Sequence, residues 1–122
     1  SEMQDTLDKK YEAAVEAHKV GDFVEAERWY REVLAIEPLH SAANHHLGMV
    51  AVSLGQPGNA IPHFRIALEA EPETEQCWVS FIDALILDDQ IDSARKALSV
   101  GKSTGVIIEA LDTLEARLAG EP

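Results

Sequence analysis

Residues 41–74 read SAANHHLGMVAVSLGQPGNAIPHFRIALEAEPET, and this stretch decides the fold. Ser41 is placed to cap a helix, and from Ala42 to Leu54 only Gly48 interrupts a run of helix-compatible residues. Gly55-Gln56-Pro57 turns the chain, with the proline at the first position of the next helix, where its missing N–H costs nothing. Ile61, Phe64, Ala67 and Leu68 then recur at helical spacing and mark a stripe to be buried. Pro72 biases the residue before it away from the α region and ends the element. The stretch is a helix, a turn and a second helix.

The same order of residue types returns in the segments on either side, over 7–40 and 75–108, with no insertion or deletion. Gly21, Gly55 and Asp89 align at the turn, and Ala26, Ala60 and Ala94 align just beyond it. Tyr30, Phe64 and Leu98 follow, then Val33, Ala67 and Gly101, then Pro38, Pro72 and Val106. In the first halves Ala13, Leu47 and Phe81 align, as do Ala14, Gly48 and Ile82. Gly48 and the aligned alanines mark positions where two helices cross closely and a larger side chain would hold them apart. Asp22 with Glu25 three residues later forms a capping-box-like start in the first copy. Gly101 falls near the end of the third copy and predicts that its second helix stops near it.

This pattern resembles the tetratricopeptide repeat, a tandem helix–turn–helix unit of the same length. Leu47, Gly48, Ala51, Gly55, Ala60, Phe64, Ala67 and Pro72 carry the match in the middle copy, and Trp78 fits the aromatic near the start of a first helix. The third copy departs most, with Asp89, Leu98, Gly101 and Val106 in place of glycine, aromatic, alanine and proline. The resemblance implies an all-α fold, a right-handed α-α superhelix of three helical hairpins in one domain over 1–122. A further helical pattern follows Gly101-Lys102-Ser103-Thr104-Gly105, with Ile107, Leu111, Leu114 and Leu118 on one stripe. A stacked repeat leaves an open apolar end, so residues 106–119 are expected to form a capping helix over it.

Charge narrows the function classes. The chain carries 22 acids against 10 Lys and Arg, a formal charge of −12. Such a surface repels phosphate backbones and anionic lipid, so neither nucleic acid nor a membrane surface is an expected partner. Within residues 41–74 there are three acids and one base, so the middle copy is expected to be the most enclosed. No apolar run approaches the ~20 residues that cross a bilayer. The 122 residues begin Ser1-Glu2-Met3, which reads as a piece cut from a longer chain, and they show no secretory leader. A lone cysteine, Cys77, cannot form an internal disulfide, and the expected compartment is the cytoplasm.

Catalytic and metal chemistry find little support. His18, His40, His45, His46 and His63 do not show the i, i+3 or i+4 ligand spacing of a zinc site in one element. His45 and His46 are adjacent and point about 100° apart on a helix, so they read as solvated or groove-edge residues. Cys77 reads as a packing residue, and GKSTG at 101–105 lacks the spacing and preceding strand of a phosphate loop. No cofactor, metal or catalytic residue is expected.

What remains is a surface. First helices of stacked hairpins line the concave face. There the candidate partner-binding residues are Tyr11, Val15 and His18, then His45, Met49 and Val52, then Val79, Asp83 and Ile86. Family members that bind chaperone tails clamp the terminal carboxylates with Lys, Asn and Arg on this face. The matching positions here are Tyr11, Val15, His46, Gln76 and Ser80, none of them a fixed cation or an asparagine. The expected function is a protein-interaction module that binds a peptide or helix of a partner protein in the groove. The alternatives are the recruiting segment of a larger bacterial enzyme such as a glycosyltransferase, which similar acidic, alanine-rich repeats precede, and weak self-association.

Overall fold

The computed structural model describes residues 1–106 and 109–122, with side chains throughout those ranges except at 109–111. Seven helices and no strand occur among the described residues: α1 (Glu2–Lys19), α2 (Phe23–Ile36), α3 (Ser41–Ser53), α4 (Pro57–Ala70), α5 (Glu75–Leu87), α6 (Ile91–Ser103) and α7 (Glu109–Ala119). The second helices of the hairpins start at Phe23, Pro57 and Ile91, the same place in each copy, as the repeat requires. Each helix packs chiefly on its neighbours in chain order, and α7 packs on both α5 and α6. None of the described helices is long and apolar enough to cross a membrane.

The turns show why glycine recurs. Gly21 and Gly55 have φ of 79° and 74°, and Asp89 adopts φ 59° at the equivalent place. That region is open to glycine and tolerated by aspartate. Asp22 caps α2, its Oδ1 accepting the Glu25 N–H at 3.2 Å, while the Glu25 carboxylate pairs with Arg28. The cap of α3 differs from the sequence reading. His40, not Ser41, is the capping residue, its Nδ1 accepting from the Ala43 N–H at 3.0 Å, and Ser41 is the first helical residue.

Close crossing explains the small residues. A Cβ on Gly48 would lie 2.4 Å from Phe64 Cε1, so α3 and α4 meet at a distance that only glycine permits. Ala26, Ala60 and Ala94 are all fully buried. The helix α6 ends close to Gly101, as expected, but passes through it to Ser103. A Cβ on Gly101 would sit 3.1 Å from the Trp78 ring, so this glycine makes room for an indole and does not itself stop the helix.

The core runs along the stack in two parts. Leu7, Tyr30, Val33, Leu47 and Val50 anchor the first, and Phe64, Trp78, Ile82, Leu85 and Leu98 the second. Of the eleven residues buried in α3 and α4, Asn44 is the polar one. Side chains also tie each hairpin to the loop before it. Asn44 Nδ2 donates to the Pro38 carbonyl at 3.0 Å, and Trp78 Nε1, at the matching position of the next repeat, donates to the Pro72 carbonyl at 2.6 Å.

Leu114 and Leu118 bury the apolar side of α7 against the third hairpin. Arg95 on α6 donates to the carbonyls of Leu118 and Glu121 at 3.2 and 3.3 Å, and Lys102 pairs with Glu115. Val106 lies before the helix rather than in it, and the expected burial of Ile107 and Leu111 falls outside the described residues.

Candidate binding groove

The nine candidate residues lie on α1, α3 and α5, and four of them share one hollow. His18, Met49, Val52 and Asp83 line a hollow of about 230 Å³ together with Ser53, Phe64 and Ser80. Met49 remains 38% exposed there. Phe64 belongs to α4 and reaches this wall past Gly48. In sequence it reads as a core residue, and only the missing side chain at position 48 signals that its ring also faces the groove.

Tyr11, Val15, Val79 and Ile86 are half-buried and pack against the core without lining the hollow, whereas Val52 does both. Tyr11 meets Tyr30 edge-on at 6.1 Å between centroids and also contacts His40 and His46, at 5.3 and 6.2 Å. Burial raises its phenol pKa. Tyr11, Val15, Val79 and Ile86 therefore shape the wall more than they present anchors to a ligand.

The histidines are neither solvated nor idle. His45 Nε2 lies 2.9 Å from Ser80 Oγ, and Ser80 Oγ accepts from Gln76 Nε2 at 3.1 Å. The hydroxyl proton is thus available to His45, which suits a neutral imidazole. Burial lowers the His45 pKa, against a smaller opposing pull from Glu71. His18 Nδ1 sits 3.4 Å from the hydroxyl of fully buried Tyr30, and His63 Nδ1 donates to Asn44 Oδ1 at 3.0 Å. Burial lowers the pKa of both. His46 stacks on Tyr30, and burial first, then the proximity of His18 and His45, lowers its pKa as well. These half-buried imidazoles correct the solvated reading. Of these contacts His45–Ser80 joins two first helices, whereas His18–Tyr30 and His63–Asn44 each join the two helices of one hairpin, and none was legible from sequence, because the partners are 12 to 35 residues apart.

Cys77 is buried, and burial followed by the charges of Glu71 and Glu73 raises its thiol pKa. It is a poor nucleophile at neutral pH. Among the described residues no group of three or more His, Cys, Asp or Glu is arranged to hold a metal ion.

Asp83 is tied to the cap. Arg117 Nη1 of α7 donates to Asp83 Oδ1 at 2.8 Å, so the last helix reaches back to the groove wall. A separate hollow of about 410 Å³ lies between α6 and α7, lined by Leu98, Leu118, Arg95 and Lys102 among others.

No protein-family profile matches the chain, and no curated protein sequence does. Solved structures do. The TPR2B domain of yeast Sti1, in its pHsp70 complex, superposes with a TM-score of 0.82 at 16% identity, covering 95% of this chain and 98% of that one. MamA from Desulfovibrio magneticus RS-1 matches at 0.73 and 21% identity over 78% of this chain, which spans about half of that protein's length (54%). The O-GlcNAc transferase of Thermobaculum terrenum, as its K341M mutant, matches at 0.71 and 26% identity, covering 83% of this chain but 19% of that one. The fold is a tetratricopeptide-repeat solenoid, an all-α stack of three hairpins closed by a seventh helix.

Proposed function

We propose that this chain is a protein-interaction module whose groove over α1, α3 and α5 holds a peptide or helix from a partner protein. The observation that carries the reading is Met49, left 38% exposed over a hollow walled by Val52 and Phe64. An apolar side chain kept in solvent within a concave, mainly apolar wall is what a binding site leaves open. Methionine there is adaptable, since its unbranched chain fits ligands of varied shape. The Sti1 domain's pHsp70 complex supports a protein partner as the ligand class for this fold.

Acidic chaperone tails are disfavoured as ligands. The positions that would clamp a carboxylate are Tyr11, Val15, His46, Gln76 and Ser80, and the net charge is −12. The same charge disfavours nucleic acid and anionic membranes. No cofactor enters this reading, and the proposed compartment is the cytoplasm, where a lone cysteine stays reduced.

The test is selection of short random peptides displayed on phage against the immobilised protein. Peptides that bind the parent and lose binding to Met49→Glu, with an unchanged thermal melt, support the groove. Equal binding by both moves the site elsewhere, and sedimentation across a concentration series tests whether the chain instead fills the groove of another copy.

A second reading rests on the match to the Thermobaculum terrenum O-GlcNAc transferase, of which this chain covers 19%. In it the module is the recruiting segment of a longer enzyme, and a catalytic domain in the full open reading frame would support it.

A further inference from the structure

Resting on the groove reading above, we infer that the ligand carries a lysine or arginine beside its apolar anchor, that Asp83 is its acceptor, and that Arg117 of α7 holds this acceptor until the ligand displaces it. Asp83 is the one carboxylate among the described residues lining the hollow beneath Met49, Val52 and Phe64. Its Oδ1 already receives a guanidinium N–H at 2.8 Å, so a cation at this spot is sterically and electrostatically accommodated. Arg117 comes from outside the three hairpins and supplies from the chain itself the group a basic ligand would bring.

The exchange is nearly balanced, which is what a displaceable contact needs. Both partners are open to water, Asp83 at 35% and Arg117 at 40% of side-chain area, and exposed pairs contribute little net energy. Arg117 lies in the last turn of α7, where a free cation is still favoured by the helix dipole. The helix stays docked without it, through buried Leu114 and Leu118, the Arg95 bonds to the Leu118 and Glu121 carbonyls, and the Lys102–Glu115 pair. Charge complementarity with a chain of −12 points the same way.

The probe is a labelled peptide from the phage selection and its counterpart with each Lys or Arg replaced by glutamine, titrated against three proteins by fluorescence anisotropy. The expected result is that selected peptides carry a basic residue, and that the isosteric Asp83→Asn weakens the basic peptide by about threefold to fivefold but not its neutral counterpart. Arg117→Gln should tighten the basic peptide by about twofold, because its competitor is gone. Selected peptides without basic residues, or equal affinity of Asp83→Asn and parent for the basic peptide, overturn the inference while leaving the groove intact. Should Asp83→Asn melt early, Arg117→Gln decides alone, since unchanged or weaker binding of the basic peptide sinks the exchange. Peptides insensitive to Met49→Glu would instead overturn the groove reading on which the inference rests.

Discussion

The imidazole of His46 lies almost parallel to the ring of Tyr30, with 6° between their planes and 5.7 Å between centroids. Tyr30 is fully buried, and His46 Nδ1 is buried with no hydrogen-bond partner among the described residues. A proton on this ring would have to be accommodated beside His18 and His45, whose rings are 5.7 and 6.0 Å away. Burial also lowers the pKa of His18, His45 and His63. The unfolded chain therefore binds protons first as the pH falls below about 6.5, the ordinary imidazole value. Stability should be fully present above that pH and decline as the pH drops through the lower folded values. Thermal melts from about pH 7.5 to about pH 5 should show a falling midpoint, and His46→Phe, which keeps a stacked ring, should flatten the fall.

Gly48→Ala tests the close crossing of α3 and α4. The new methyl would meet the Phe64 ring at 2.4 Å, and Phe64 is 2% exposed, so the ring has little room to yield. The substitution should cost about 1–3 kcal/mol in urea denaturation despite alanine's better helix propensity. A gain in stability would mean that α3 and α4 separate without penalty.

The third turn is strained where the other two are not. Asp89→Gly relieves a side chain at φ 59° and should stabilise by roughly 0.5–1 kcal/mol, whereas Gly55→Ala, at φ 74°, should destabilise by about the same amount. Opposite shifts in melting temperature for the two variants check the assignment.

Removing residues 105–122 takes away Leu114 and Leu118, each worth up to about 1.5–3 kcal/mol of buried surface before entropy is counted. That loss uncovers the side of the third hairpin around Leu98. The shortened chain should melt earlier and associate in sedimentation runs. A monomer with the parent's melting temperature would show that α7 is not a cap.

What the sequence made legible was whatever the backbone demands. A positive φ at 21, 55 and 89 and a crossing without space for a Cβ at 48 each restrict the residue type, so they stand out in a single chain. The groove was only half legible. An apolar residue on a first helix faces the groove or the next helix with the same spacing, so Val79 and Ile86 read like Met49 although they pack on the core. At Gly101 the end of α6 was legible to within two residues, but the room the glycine makes for the Trp78 ring was not, since a glycine that admits a ring and a glycine near a helix end look alike in sequence. The pairs His45–Ser80 and Asp83–Arg117 join residues a whole repeat apart, and no local pattern encodes them.

Packing in chain order has a kinetic consequence. Each helix meets its principal partners within one or two elements of itself, so little loop-closure entropy has to be lost before contacts form. Folding can begin at α3 and α4, the hairpin flanked on both sides, and grow outward one hairpin at a time. The reverse also holds. The ends can open while the middle persists, so amide hydrogens in α3 and α4 should exchange with solvent last, and those of α1 and α7 first. Arg117 sits in α7 and Asp83 in α5, so on this expectation their contact would join an early-opening helix to one nearer the middle of the stack.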